Sequence, residues 1–187
     1  MIKSAWRWMV AAILFGSFAG GTYYVSAQTA AETNIASNTV DLGTVVSDVE
    51  KSVKWYRDVV GFEEVATFDF PGDFAKQIGL TNSLPGHVHV LSLGSGPGAT
   101  KLKLMQFKTA PGARVDQTFI HSTYGFRYLT IIVKDMPTAM ARAAKHGVKP
   151  VSGEAVAIPE TIATGQYIAV FRDPDGNFVE LVGPKAE

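Results

Sequence analysis

The fold of this chain is decided by the stretch Asp173-Pro174-Asp175-Gly176-Asn177-Phe178-Val179-Glu180-Leu181. Its first five residues are typical of a tight turn, because proline fixes φ, glycine accepts positive φ, and aspartate and asparagine bond their own backbone. The extended runs 166–171 and 178–182 flank this turn and predict a β-hairpin. On the second strand Glu180 shares a face with apolar neighbours, so its carboxylate needs a partner or a metal ion.

The elements before the hairpin form a repeat. Residues 46–53 align with residues 133–140 at an offset of 87 positions. Both segments start a helical pattern, and the expected caps and ends are Asp48 with Gly61 and Asp135 with Gly147. The order β-α-β-β-β in each half predicts an internal duplication. The expected fold class is α+β, with two tandem βαβββ modules at about 39–107 and 127–184.

The remaining elements follow from β-branched and alternating runs that glycine and proline interrupt. Strands are predicted at 40–46, 62–70, 87–93 and 101–107 in the first half, and at 127–133 and 148–151 in the second. A loop at 71–84 contains one helical turn near 73–78, and a connector at 108–125 joins the halves.

The first 27 residues have the pattern of a signal peptide. Lys3 and Arg7 form a positive start, residues 9–19 are apolar, and residues 25–27 form a small-residue cleavage site. An uncleaved anchor is the alternative, but glycine, serine and threonine dilute the apolar stretch. We expect cleavage after Ala27, export to the periplasm or medium, and no stable membrane anchor afterwards. Residues 28–38 are small and polar and predict a flexible linker before the domain at 39–184.

Charge and cysteine content exclude several classes of function. Without the signal peptide, fifteen Lys and Arg residues remain against seventeen Asp and Glu residues, and no basic stripe is visible. Nucleic acid is therefore not an expected partner. The sequence contains no cysteine, which excludes disulfides, thiolate catalysis and cysteine-based zinc sites.

Two motifs carry a resemblance to a known family. The hairpin motif Asp-Pro-Asp-Gly-Asn-x-x-Glu-Leu and the helix end Trp-Tyr-Arg-Asp-Val-Val-Gly-Phe at 55–62, within two βαβββ modules, resemble the vicinal oxygen chelate superfamily over about residues 39–183. That superfamily includes glyoxalases, bleomycin and fosfomycin resistance proteins, extradiol dioxygenases and methylmalonyl-CoA epimerases. The resemblance implies that each module curls into a cup, that the mixed sheet surrounds a central cavity, and that metal ligands come from the first and last strands of each module.

The family's four ligand positions correspond here to Asp41, Lys103, Tyr128 and Glu180. Asp41 and Tyr128 are also 87 positions apart, and Lys103 and Glu180 occupy matching points on the last strand of each half. A charged lysine has no acceptor, and a tyrosine would have to ionise to bind a metal. The usual four-ligand site is therefore expected to be absent. No cofactor is favoured, and a divalent metal ion at a reduced or relocated site is the alternative.

Lys103 and Glu180 allow two interpretations. In the first, they form a structural ion pair that takes the place of the metal charge. In the second, Lys103 binds an anionic group or acts with Glu180 as an acid–base couple, with Tyr128 as a third catalytic candidate. The expected ligand-binding set is Asp41, His87, His89, Lys103, Tyr128 and Glu180.

His87 and His89 offer a second route to a metal site. They are two residues apart on a predicted strand and therefore share a face, together with Leu91 and Leu93. With Glu180 or Asp41 they could supply two nitrogens and one carboxylate to a metal. A solvated or hydrogen-bonded pair is the structural alternative.

Three functions follow from these patterns. The favoured one is an exported, glyoxalase-like protein that binds a small organic ligand in its cavity without the usual metal site. The second is a metal-dependent lyase, isomerase or dioxygenase of the glyoxalase type. The third is a structural module with a vestigial site. The full duplication permits a monomer, and a homodimer is the other assembly expected for such cups.

Overall fold

The computed structural model describes residues 36–37 and 39–185, so the predicted signal peptide and nearly all of the linker lie outside the described residues. The first half contains β1 (Leu42–Val45), α1 (Val49–Trp55), a π-helical segment (Tyr56–Val60), β2 (Glu63–Phe70), α2 (Gly72–Gln77), β3 (Gly86–Leu93) and β4 (Thr100–Met105). The second half contains β5 (Tyr128–Ile132), α3 (Met136–Lys145), β6 (Val156–Ala157), β7 (Gln166–Arg172) and β8 (Phe178–Pro184). None of the helices in this part of the chain has the length and apolar character needed to cross a bilayer.

The two halves form two mixed sheets with the same strand order. The first sheet runs β1-β4-β3-β2 and the second runs β5-β8-β7-β6. In each sheet the first and last strands of the module are parallel, and the other pairs are antiparallel. The predicted α+β class with two tandem βαβββ modules is confirmed.

The helix starts agree with the sequence pattern in both halves. The side chain of Asp48 accepts a hydrogen bond from the backbone amide of Lys51 at 3.0 Å, and Asp135 accepts one from Thr138 at 2.8 Å. These carboxylates satisfy amides that have no partner within the helix. Gly61 ends the first helix with φ of 103°, a conformation that favours glycine.

One feature of the first helix was not predicted. Its last turn, Tyr56–Val60, is π-helical, and the amides of Gly61 and Phe62 both donate to the carbonyl of Tyr56. A π turn closes over five residues, one more than the four of an α turn. The segment places Tyr56 and Val59 in the core.

The predicted strand at 148–151 is wrong. The short edge strand of the second sheet is Val156–Ala157, which pairs with β7. Pro150 cannot donate a backbone hydrogen bond, and its carbonyl accepts one from Gly153 in a turn. Only Val151 keeps a ladder-like contact, with its amide 2.7 Å from the carbonyl of Val170.

A single hydrophobic cluster joins both sheets to the helices. It contains Val53 and Tyr56 from the first helix, Leu91 and Leu104 from the first sheet, Ala143 from α3, and Phe171 and Leu181 from the second sheet. Alternate residues of β4 and β8 lie on the opposite face of each sheet, where Lys103 and Glu180 are half-buried. We call this the open face of each sheet, because it also carries the exposed side chains of Val45, Tyr128 and Ile132.

Candidate functional site

Lys103 forms an ion pair with Asp41 on the open face of the first sheet. Its Nζ lies 2.9 Å from Asp41 Oδ2, and about a third of each side chain is exposed, 34% and 36% respectively. The hydrogen bond from Lys103 lowers the pKa of Asp41, and the charges of Lys103 and Lys101 add to the effect. The parallel pairing of β1 with β4, which places Gly43 beside Lys103, brings the two side chains together.

Glu180 has a different partner. The hydroxyl of Thr130 on β5 donates a hydrogen bond of 2.8 Å to Glu180 Oε2, and the two residues are direct neighbours in the register of β5 and β8. The expected ion pair between Lys103 and Glu180 is therefore a wrong pairing in the described part of the chain. Lys103 instead contacts Asp41, which directly precedes β1, and Glu180 contacts Thr130 on β5. Each contact stays within one module, because the sheets are separate and each pairs its first and last strands.

Tyr128 is the first residue of β5 and is 55% exposed. It lines a cavity of about 320 Å³ between β1 and β5, together with Gly43, Phe126 and Phe178. Residues from both sheets line the cavity. Most of its aromatic lining, Phe126, Tyr128 and Phe178, comes from the second half of the chain. Of the four predicted ligand positions, only Tyr128 lines this cavity.

His87 and His89 lie on the other face of the first sheet. The register pairs His89 with Leu104, whose side chain is in the core, whereas Lys103 pairs with Val90. Direct cross-strand neighbours share a face, so both histidines project to the helix side. The expected metal set that combines them with Asp41 or Glu180 is therefore wrong, because a β-sheet separates the two groups.

The side chains at the family's metal position do not fit a divalent ion. The ammonium of Lys103 is positively charged and already engages Asp41, and the carboxylate of Glu180 accepts from the hydroxyl of Thr130. Within residues 36–37 and 39–185, no group of three or more His, Cys, Asp or Glu side chains is arranged to hold a metal. We therefore assign no chemical step to a metal at this position.

Arg172, which was not predicted as a functional residue, connects the hairpin to the connector through hydrogen bonds. Its guanidinium lies 3.4 Å from the centre of the Phe178 ring and donates to the carbonyls of Gln117, Thr118 and Gly176. Desolvation, followed by the nearby positive charge of Arg127, lowers the pKa of Arg172. Arg172 pairs with Phe178, two residues before Glu180 on β8. No local signal in the sequence indicates the connector as its partner.

The connector and the hairpin turn enclose a more polar cavity of about 690 Å³. Its lining includes Ser47, Gln106, Arg114, Asp175 and Asn177. The amide of Ser47 donates to Asp175 at 2.9 Å, so the turn that decides the fold also contacts the start of the first helix. These polar groups largely bond one another.

Solved structures of the same fold share the arrangement of this chain. A glyoxalase family protein from Bacillus cereus has a TM-score of 0.63 at 18% identity, over 83% of this chain and 99% of that chain. A glyoxalase/bleomycin resistance protein/dioxygenase domain from Frankia sp. has 0.56 at 17%, over 83% and 94%. The trypanothione-dependent glyoxalase I of Leishmania major has 0.53 at 20%, over 76% and 84%. At these identities the likeness establishes the fold alone.

Sequence comparison supplies the family. No curated protein matches the chain. The model of the Glyoxalase/Bleomycin resistance protein/Dioxygenase superfamily matches residues 39–181, which includes both modules and the hairpin motif. The chain belongs to the glyoxalase/bleomycin resistance protein/dioxygenase superfamily.

Proposed function

We propose that this protein binds a small organic molecule with an anionic or strongly oxygenated group on its open face, without a metal ion at the family's usual position. The observation that carries the proposal is the Lys103–Asp41 ion pair, whose two residues correspond to ligand positions in the family's pattern. The pair is solvent-accessible, so an anionic group can compete with Asp41 for the ammonium. The open face also carries exposed apolar side chains that supply contact area, namely Val45 in the same sheet and Tyr128 and Ile132 in the second sheet.

Residues from both modules have distinct roles in this proposal. Lys103 supplies the positive charge, and Tyr128 supplies an aromatic surface with a hydroxyl at its tip. Glu180, held by Thr130, selects against a second anionic group on the ligand. Lys103 in the first module and Tyr128 and Glu180 in the second therefore favour a molecule with one acidic end and one end that is apolar or donates hydrogen bonds.

The test compares two lysines on the same face. Lys101 and Lys103 are two residues apart on β4 and both project to the open face. In a thermal-shift screen of small carboxylates, oxoaldehydes and aromatic acids, followed by calorimetry, we expect Lys103→Met to weaken binding by about 10- to 100-fold, the range for a hydrogen bond to a charged group. Lys101→Met should change it by less than about twofold. Equal affinity of the wild type and Lys103→Met would contradict the proposal.

Metal dependence separates this proposal from the enzymatic alternative. We expect ligand binding to survive dialysis against EDTA. Turnover of an oxoaldehyde or an aromatic diol that EDTA abolishes and Ni²⁺, Mn²⁺ or Fe²⁺ restores would favour a metal-dependent lyase, isomerase or dioxygenase instead.

We also propose that the protein is exported through its first 27 residues. The positive start, the apolar stretch and the small-residue site support cleavage after Ala27. Mass spectrometry of the protein isolated from its native host should find Gln28 as the first residue. An intact amino terminus on membrane-associated protein would contradict this.

A further inference from the structure

We propose a second site, on the helix side of the first sheet, where His87 and His89 bind one transition-metal ion through their Nε2 atoms. Each imidazole is held by a carboxylate. His87 Nδ1 lies 2.7 Å from Asp69 Oδ1, and His89 Nδ1 lies 2.7 Å from Glu64 Oε1. The two rings are in edge-to-face contact, with centroids 4.9 Å apart and planes at 83°.

The hydrogen bonds fix which nitrogen is free. An ionised carboxylate only accepts, so the Nδ1 of each ring must carry the proton. In the neutral imidazole the lone pair is then on Nε2, and the two rings project from the same strand face with centroids 4.9 Å apart. Metal-binding histidines commonly have this arrangement, in which a carboxylate orients the ring and increases the basicity of the free nitrogen.

The surroundings are suited to a cation. Both histidines line a cavity of about 830 Å³, which Asp69, Glu50 and Gln106 also line. Glu64 lies behind His89, and Lys108 is the one positively charged side chain of the described lining. His89 is mostly buried, with 13% of its side chain exposed, so its ring has little freedom, while His87 is half-exposed and leaves the site accessible.

The donor set limits which ion binds and how tightly. Asp69 and Glu64 bond the Nδ1 atoms, so the protein supplies two nitrogens and water completes the coordination. This agrees with the lack of a three-residue metal group in the described part of the chain. Imidazole pairs suit Zn²⁺, Ni²⁺ and Cu²⁺ rather than Mg²⁺ or Ca²⁺. Open coordination positions would also accept an oxygen or nitrogen atom of a small molecule in the cavity.

The experiment is calorimetric titration of the EDTA-treated protein, purified without a histidine tag, with ZnCl₂ and with NiCl₂. We expect one ion per chain. His87→Asn is the informative variant, because the asparagine amide occupies the place of Nδ1–H and preserves the bond to Asp69 but removes Nε2. It should weaken binding by at least about tenfold, whereas His121→Asn in the connector should leave it unchanged. Circular dichroism checks that both variants are folded.

A second variant tests the orienting carboxylate. Glu64→Gln should weaken metal binding by about 10- to 100-fold, the usual effect of losing such a partner. In NMR spectra of the wild type, added Ni²⁺ should broaden the ring signals of the two histidines and so report the metal directly. Absence of binding by the wild type at millimolar metal, or equal affinity in His87→Asn, would overturn the proposal. Neither result depends on Lys103, which lies on the other face of the sheet, so the two proposals fail independently.

Discussion

The hydroxyl of Tyr56 donates a hydrogen bond of 2.9 Å to the carboxylate of Asp173, and both side chains are buried. Tyr56 belongs to the helix-end motif of the first module and Asp173 to the hairpin motif of the second. Asp173 also accepts from the amides of Asp175 and Asn177 and from the Asn177 side chain. Burial first and then the Asp173 carboxylate raise the pKa of Tyr56 well above its usual value, so the phenol stays protonated. The two motifs that identify the fold therefore contact each other.

The first prediction follows from this contact. Tyr56→Phe keeps the ring in the core but leaves a buried carboxylate short of one donor, and we expect it to lower the free energy of unfolding by about 1.5–3 kcal/mol. Urea denaturation measures the loss. Tyr124→Phe, which removes a fully exposed hydroxyl, should be neutral. Equal stabilities of the two variants would show that the hydrogen bond contributes nothing.

Loss of the Arg172 guanidinium should loosen the connector. Lysine cannot reach three carbonyls at once, so in Arg172→Lys we expect trypsin to cleave after Lys108 or Arg114 about tenfold faster, reflecting easier local opening. Arg142→Lys is the control, because Arg142 donates to Val60 in the π-helical segment and does not bond the connector. A connector cut at the same rate in both variants would contradict the role of Arg172.

Stability should fall in acid because of Asp58. Hydrogen bonds from Arg57 and Lys54 lower its pKa to about 2, below the value of about 3.9 in an unfolded chain. Its contribution is therefore fully present above pH 4 and is lost as the pH falls through 2. Urea midpoints of the wild type and Asp58→Asn should differ at pH 5 and converge near pH 2. Because the ion pairs of Asp58 with Arg57 and Lys54 lie near the surface, 1 M NaCl should reduce the difference between the urea midpoints at pH 5. A difference that does not change with pH would contradict the role of Asp58.

Gly183 allows β8 to approach the end of β5. A Cβ at this position would lie 2.5 Å from the carbonyl oxygen of Val133 and 2.6 Å from its Cγ2. We expect Gly183→Ala to cost about 1–3 kcal/mol, as overpacking against backbone does. Gly98→Ala, where the added methyl meets nothing within 4 Å, should have a much smaller effect on the thermal midpoint. If both alanines are tolerated equally, the strand spacing is not a constraint.

Local chemistry made much of the fold predictable. Helix caps such as Asp48 and Asp135, and the glycine-containing turn at 173–177, depend on contacts within a few residues. They could therefore be predicted from the sequence. The partner of Lys103 could not be predicted in the same way, because it depends on the parallel register of β1 and β4 across sixty residues of chain. Arg172 likewise meets its connector carbonyls only after folding.

The side of the sheet on which the two histidines lie could not be predicted from alternation. Leu91 shares their face and is fully buried, but Val88 and Val90 on the opposite face are buried as well. Both faces of this strand are therefore apolar. The register of β3 with β4, which pairs His89 with Leu104, places the histidines on the helix side.

The π-helical segment lies where the helical stretches of the two halves differ in length by one residue. Gly61 follows its capping Asp48 by 13 residues, whereas Gly147 follows Asp135 by 12. A turn that closes over one extra residue absorbs this difference without moving either end of the helix. If both halves descend from one ancestral module, the π turn marks a single-codon insertion or deletion. The altered turn begins at Tyr56, so the change in length lies in the same turn that the second module binds through Asp173.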